Sequence, residues 1–513
     1  MSVPARPAVR PRLLSELGRE VGLLMRGGDV LIRDISVDSR AVRQGDLFVA
    51  VPGMSEDGAR YISDAVRNGA TAVCASVPVP DIPTLVAESP RAALADLAAA
   101  LLGHPTRDVS VVGVTGSLGK TSTALLTQAC LAGGGLRAGV IGSLGVRARG
   151  MVHQTGLTTP DALTLQRELR WMADEGVAMA ITEVSSHGLL LDRVRGLELA
   201  LGVFTNLVPD EHLEFHPTPE HYVRTKLRFL DLIRPGAPLI YNADDPLVAG
   251  AAEARTAGPV VGVSRTGHAS AAVHVRDCRV HVGGGDFTLV LRRELHTLNG
   301  TIVAAGEHLL RVPLLGDQQI DNAALAATTA IVAGVTVDDA ARGLATTAPI
   351  RRRTEIVRAT APLVIDDTAG NPRSIHQLQR LVTALGIHSP RMVYAVRGSR
   401  GATINVHCAS ALADLVKSAG GSLVVTASTD SADDRNQVTD GELDATIAAL
   451  RDRGAQFHYE ATLRAAVGHA LDGTGEADVV LLLGAQGMDQ GAALAREILE
   501  GRDELAGISG LTP

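Results

Sequence analysis

The sequence predicts an α/β protein divided into about three domains, and three observations lead there. Its 513 residues exceed what one hydrophobic core normally serves. Short runs of β-branched and aliphatic residues alternate with helix-length segments over most of the chain, the pattern of mostly parallel sheets. One such run, Val109 to Val114, leads through a glycine-rich turn into a helical pattern.

Composition narrows the classes. Apolar residues make up 46% of the chain, enough for several cores. With one Trp, five Tyr and six Phe, the interior must be filled by Ala, Val, Leu and Gly, and few rings remain to stack on bases. A formal net charge of −8 gives no general attraction to polyanions, so nucleic acid is not expected as a partner, although a local basic pocket can still hold a phosphorylated ligand. Cys74, Cys130, Cys278 and Cys408 lie far apart, neither a metal-ligand pair nor a disulfide scaffold, and read as reduced thiols of a cytoplasmic protein. The opening MSVPARPAVRPRLL is broken by prolines and lacks a long apolar run, so neither a signal peptide nor membrane insertion is expected.

Taken in order, DLFVAV, the helix-like YISDAVRNGA and TAVCAS predict a small α/β unit between Ile35 and Val77. An Ala/Leu-rich helix over Pro90 to Leu102 is broken by His104-Pro105-Thr106, placing a first boundary near Arg107 and a first domain at 1–107. VSVVGV, AGVIGS, AMAIT, LALGVFTN and PLIYNA are buried-strand candidates of a central domain at 108–350, followed by the strand-like AAVHVR and FTLVLR and the helical DNAALAATTAIVAG. After the Arg351-Arg352-Arg353 run, PLVIDD, RMVYAV, SLVVTAS and DVVLLLG predict a third α/β domain at 351–513.

The segment SVVGVTGSLGKTSTALLTQAC sets a β-branched strand before a glycine-rich turn and a helix, so that backbone N–H groups and the helix N-terminus converge on phosphate. In Thr115-Gly116-Ser117-Leu118-Gly119-Lys120-Thr121-Ser122, Lys120 is placed to reach terminal phosphates and Thr121 to hold Mg2+, making the loop an ATP site. The strict P-loop pattern asks for a glycine where Val114 stands. Glu183 follows the run AMAIT and so ends a strand, where open α/β sheets place ligands; it is the leading Mg2+ ligand candidate.

The shortened loop resembles that of the Mur ligases and the related folylpolyglutamate synthetases, with Ser117 and Leu118 where Thr and Asn are usual. LTTPDALTLQ, TEVSSHGLLLDR, FTNLVPDEHLEFH with YVRTKLRFL, and NADD follow in the order seen in Mur ligases, closest to the MurE group that adds the third residue of the peptidoglycan stem. The resemblance implies a three-domain architecture with a central P-loop sheet and a Rossmann-like C-terminal domain. It implies that Thr158, Thr159, Ser185 and Arg193 contact a nucleotide-sugar peptide, that His212 is linked to the metal, and that Lys226 carries a CO2-derived carbamate, an anionic group at the same Mg2+. Asp210, Glu211 and His216 remain alternatives to His212, because the spacing from Asn206 is one residue longer than usual. Asn242, Asp245 and Asn322 are implied on the ATP side. SVDSRAVRQGDLFVAVPGMSEDGARYI resembles the MurE nucleotide-sugar domain, with Ser39 and Arg40 at the uridine-diphosphate end.

Toward the C-terminus, DDTAGNP implies Asp367 as a nucleotide contact, RRRTE implies Arg353 at ATP phosphate, and VRGSRG implies Arg400 at the incoming amino acid's carboxylate. The Asp-Asn-Pro-Arg motif of diaminopimelate-adding MurE is missing, and GAQGMD at Gly484 to Asp489 replaces Gly-Lys-Gly-His-Glu. The expected activity is ATP-dependent amide-bond formation between an amino acid or amine and a UDP-N-acetylmuramoyl peptide. Two alternatives stay open: a related ligase of specialised peptide metabolism with another acyl acceptor, and a non-catalytic nucleotide-binding scaffold.

Overall fold

The structure is a computed structural model that describes residues 9–53, 56–209, 215–255, 257–475 and 477–509. Contacts divide it into two units. The first comprises Met1–His274, Val290–Gly306 and Ala324–Gly343; the second comprises Val275–Leu289, Glu307–Ala323 and Leu344–Pro513.

The N-terminal part of the first unit contains a five-stranded sheet of β1 (Leu24–Arg26), β2 (Asp34–Ser36), β3 (Asp46–Val49), β4 (Ala70–Ala75) and β5 (Thr84–Val86), in the order β1-β5-β4-β3-β2. Only the β1–β5 pair is antiparallel. Helix α1 (Pro90–Leu101) starts where Ser89 accepts from Ala92 N and Pro90 supplies a preset first-turn φ. It lays Leu94, Leu97, Ala98 and Leu101 on Leu47, Val49 and Cys74 of the sheet.

The same unit holds β6 (Ser110–Thr115), α2 (Lys120–Gly133), β7 (Ala138–Gly142), β8 (Gly145–Ala148), β9 (Met151–His153), α3 (Ala162–Asp174), β10 (Met179–Val184), α4 (Ser186–Leu190), β11 (Leu201–Phe204), α5 (Pro219–Leu227), β12 (Leu239–Asn242), α6 (Pro246–Glu253) and β13 (Val260–Ser264). These strands run in the order β9-β8-β7-β10-β6-β11-β12-β13, parallel from β7 to β13. Both faces of β6 and β10 are covered, which is why VVGV and AITEV read as continuous apolar runs. The chain leaves β6 for β7 on one side and later returns to β11 on the other. A crevice therefore opens at the carboxyl ends of β10, β6 and β11, the place where doubly wound sheets bind ligands. Register puts Glu183 beside Val114, with Val184 and Phe204 both beside Thr115.

The second unit contains β14 (Glu355–Arg358), β15 (Leu363–Asp367), α7 (Pro372–Ala384), β16 (Arg391–Ala395), α8 (Ala402–Ala419), β17 (Ser422–Thr426), α9 (Asp440–Asp452), β18 (His458–Glu460), α10 (Leu463–Leu471), β19 (Val479–Gly484) and α11 (Gly491–Ser509). Its sheet runs β14-β15-β19-β16-β17-β18, parallel except for β14. One apolar cluster packs Leu378, Leu412 and Leu450 on one face and another packs Val467, Ala495 and Leu499 on the opposite face, the layering of a Rossmann-like domain. Capping boxes at Asn371/Ser374 and Thr439/Glu442 start α7 and α9.

None of the four cysteines forms a disulfide; Cys74, Cys130 and Cys408 are buried and Cys278 is exposed. Among the described residues no helix is long and apolar enough to cross a membrane.

Candidate functional site

The turn after β6 brings the predicted phosphate-loop residues together. Gly119 takes a left-handed φ of +81° and starts α2 without a side-chain cap, leaving the helix's positive end open toward the loop. Lys120 Nζ folds back to donate to the carbonyls of Gly116 (2.8 Å) and Ser117 (3.0 Å). Ser122 is buried in the first turn of α2.

The loop is held mostly by residues that local pattern did not single out. Ser117 Oγ lies 2.7 Å from the Tyr222 hydroxyl of α5 and accepts from Val208 N. Leu118 has no amide side chain, yet its backbone is gripped on both sides by one: Asn206 Oδ1 accepts from Leu118 N (2.9 Å) and Asn206 Nδ2 donates to Leu118 O (3.0 Å). Thr205 Oγ1 donates to the same carbonyl at 2.6 Å. The sequence signals for this pair were its position just past the strand-like GVF and its place in the FTNLVPDEHLEFH motif, neither of which points to Leu118.

Gly116 is required by packing as well as by backbone. Its φ is +148°, and an added Cβ would sit 1.9 Å from Thr205 Oγ1. Gly116→Ala is therefore expected to displace the loop and lower kcat/KM for ATP on the order of tenfold or more, corresponding to about 1–3 kcal/mol of misplacement. Steady-state kinetics over an ATP series, with a thermal melt as control, measures this.

At the ends of β6 and β10 the predicted Mg2+ residues meet. Thr121 Oγ1 donates to Glu183 Oε2 at 3.0 Å. Ser143 joins them, its N–H donating to Glu183 Oε1 (2.8 Å) and its hydroxyl lying 3.2 Å from Oε2 and 2.9 Å from Thr158 Oγ1. Glu183 is buried, and Gly142 makes room for it, since a Cβ there would stand 2.1 Å from Oε1. The buried Thr121 hydroxyl and Glu183 carboxylate are oxygen donors of the kind that suits a hard divalent cation.

Lys226, at the end of α5, is also buried here; its Nζ donates to Thr115 Oγ1 (3.0 Å) and to Gly116 O (2.8 Å). Thus the Gly116 carbonyl accepts from both Lys120 and Lys226. His212, Asp210 and Glu211 lie outside the described residues. His216 is buried, its Nδ1 3.0 Å from His221 Nδ1 and its ring edge-on to Tyr222.

A polar strip continues toward α4. Thr159 Oγ1 donates to Glu183 O (2.8 Å) and accepts from Ser185 N (3.0 Å), Ser185 Oγ caps α4 through Gly188 N, and Arg193 donates to Thr159 O (3.0 Å). Asn242 and Asp245 serve the turn after β12: Asn242 accepts from Asp244 N, while Asp245 caps α6 and accepts from Leu207 N. Ser39 is buried, its carbonyl accepting from Asn68, whereas Arg40 is exposed and forks onto Asp38 with two 2.9 Å bonds.

Asn322, Arg353, Asp367 and Arg400 belong to the second unit. Asp367 accepts from Thr354 N (2.8 Å) and Arg353 bonds Thr368 Oγ1. Burial pushes the Asp367 carboxyl up to about 6, against the pull of the Arg353 guanidinium. Asn322 Nδ2 donates to Gln319 Oε1. The N–H groups of Ser399, Arg400 and Gly401 converge on the Glu442 carboxylate. Arg352, which local pattern did not separate from its neighbours, has a buried guanidinium that bonds Asp366, Asp489 and the carbonyls of Gly484 and Ala485. GAQGMD is thereby tied to the start of the third predicted domain.

Three family models match the chain: "Mur ligase family, catalytic domain" at residues 31–101, "Mur ligase middle domain" at 114–330, and "Mur ligase, glutamate ligase domain" at 352–486. The UDP-N-acetylmuramoyl-L-alanyl-D-glutamate--2,6-diaminopimelate ligase of Rhizobium meliloti (strain 1021) is 36% identical over 419 residues, covering 79% of this chain and 81% of the relative. In fold the chain is similar to MurF from Acinetobacter baumannii, with a TM-score of 0.69 at 19% identity over 96% of this chain and 100% of that one. It is also similar to MurF ligase from Thermotoga maritima in complex with ADP, with a TM-score of 0.66 at 19% identity over 91% and 98% of the two chains.

Proposed function

The chain belongs to the Mur ligase family, and from that premise we propose that it joins an amino acid or other amine to a UDP-N-acetylmuramoyl peptide, converting ATP to ADP and phosphate. The observation that carries this reading is the meeting of Lys120, Thr121, Glu183 and Lys226 around one strand-to-helix turn, in a chain matched along its length by Mur ligase models.

A carboxylate is a poor electrophile, so its oxygen first attacks the γ-phosphorus of ATP, giving an acyl phosphate and ADP. The amine then adds to the acyl carbon, and the tetrahedral adduct expels phosphate and loses a proton to leave the amide. Lys120 and the N-terminus of α2 offset charge on the transferring phosphoryl group. Thr121 and Glu183 would hold Mg2+, which when bound spreads the same charge. Thr158, Thr159, Ser185 and Arg193 orient the acyl acceptor, with Ser39 and Arg40 toward its uridine-diphosphate end. Asn242, Asp245, Asn322, Arg353 and Asp367 serve the nucleotide, and Arg400 the carboxylate of the incoming amino acid. We read the domains as 1–107, 108–350 and 351–513, the first binding the UDP-linked acceptor, the second ATP, and the third both ATP and the incoming amino acid.

Carbamylation of Lys226 is part of the proposal. Two ammonium groups sharing the Gly116 carbonyl in a buried setting repel, and a carbamate would turn one of them into an anion beside Lys120.

A second reading, another acyl acceptor with the same chemistry, is favoured by GAQGMD and the missing Asp-Asn-Pro-Arg. ADP and phosphate release from a matrix of UDP-muramoyl peptides, other carboxylates and amines tests both. Release is expected only when a UDP-muramoyl peptide and an amine are both present. Release with a different carboxylate transfers the reading to the second, and ATP binding without release under any pair would leave a scaffold.

A further inference from the structure

At the far edge of the second unit's sheet, three metal-ligating side chains meet that the ligase reading does not use. His458 and Glu460 alternate along β18 and so project from the same face, and α10 folds back to bring His469, in its last turn, against them. His458 Nε2 lies 2.8 Å from Glu460 Oε1, and His469 Nδ1 lies 3.9 Å from the same oxygen. One ligand atom from each residue falls within 4.8 Å of the others. The imidazoles stack with centroids 4.2 Å apart and planes 15° apart; neutral imidazole is the form that binds metal.

We propose that His458, Glu460 and His469 form a binding site for a divalent transition ion, zinc by preference. Two imidazole nitrogens and one carboxylate oxygen are a borderline donor set that selects Zn2+ over Mg2+ or Ca2+, whose sites are built from oxygen. All three side chains reach solvent, at 50%, 31% and 48% exposure, so small rotations draw the nitrogens in to about 2.0–2.1 Å and the carboxylate to about 2.0–2.2 Å, the usual zinc distances. The ion takes the place of the hydrogen bond that now joins His458 Nε2 and Glu460 Oε1. It also lies near the C-terminal end of α10, where the helix dipole favours a cation. Three protein ligands leave a fourth position open to water, as in zinc sites that exchange ligands.

The test uses the full chain without an affinity tag, stripped with chelator and titrated with Co2+ and Zn2+ in excess Mg2+, which fills oxygen-rich sites. One Co2+ equivalent is expected to develop the visible bands of a four-coordinate ion and to be displaced by Zn2+. His458→Ala and His469→Ala are each expected to lower Co2+ affinity at least roughly tenfold to hundredfold and abolish the bands. Glu460→Gln weakens binding, and far-UV circular dichroism and ADP release stay at wild-type levels in all three. Absence of a four-coordinate Co2+ spectrum, or a spectrum that survives His469→Ala, would overturn the site.

Discussion

Replacing Lys120 with alanine is expected to lower kcat for ADP release by roughly 100- to 1,000-fold, about 2.7–4 kcal/mol of lost transition-state stabilisation. Lys120 stands at the first position of α2, and its ammonium now rests on the Gly116 and Ser117 carbonyls. Those bonds hold a cation in reserve at the turn where phosphate is proposed to sit. In phosphoryl transfer, charge grows on the equatorial oxygens, so a cation placed there acts more on kcat than on ATP affinity. The fold should survive, because Lys120 is only half-buried and the loop keeps its Asn206, Thr205 and Tyr222 clamps. Lys120→Arg restores charge but presents a planar fork in place of a compact ammonium, so partial recovery at most is expected. Near-normal turnover by the alanine variant, with an unchanged melting temperature, would remove Lys120 from the proposed mechanism.

The second large effect is expected from Glu183→Gln. The substitution keeps size and shape but removes the negative charge, and it sets an amide N–H2 group among donors, since Thr121 Oγ1 and Ser143 N both give hydrogen bonds to this carboxylate. One mismatched buried donor costs about 1–3 kcal/mol of stability. The loss of a Mg2+ ligand adds a kinetic cost of about 2.7 kcal/mol or more, on the order of 100-fold in kcat/KM. The two costs separate by measurement: a thermal melt reads the first, and a Mg2+ titration of ADP release reads the second as a raised half-saturating concentration. Glu183→Asp, which keeps the charge one methylene farther back, should fall between. A Mg2+ dependence that Gln leaves unmoved would argue that the metal is held elsewhere.

Much of the fold was legible because its signals are local. VSVVGV, AMAIT, LGVFTN, PLIYNA and the C-terminal runs PLVIDD, RMVYAV, SLVVTAS and DVVLLLG each form strands of parallel sheets, since burial on both faces leaves an uninterrupted apolar run. The loop that follows β6 was equally legible, because a strand, glycines, Gly-Lys-Thr and a helix are contiguous. The gap left by Leu118 was not. Its compensation by Asn206 comes from a residue 88 positions away, and no local pattern reports which side chain will meet a given carbonyl.

Sequence by itself therefore determined the α/β class, the glycine-rich turn between β6 and α2 and, through ordered motifs, the family, because each is written in residues that are neighbours along the chain or recur at set intervals. It also displayed the altered C-terminal motifs. Only the tertiary structure decided that Thr121 and Glu183 share a hydrogen bond, that Ser143 completes their contact, that Lys120 and Lys226 converge on one carbonyl, and that His458, Glu460 and His469 meet at a sheet edge. The physical reason is the same in each case. Parallel strand register and helix packing bring together side chains whose separation in sequence carries no energetic signal until the chain has folded.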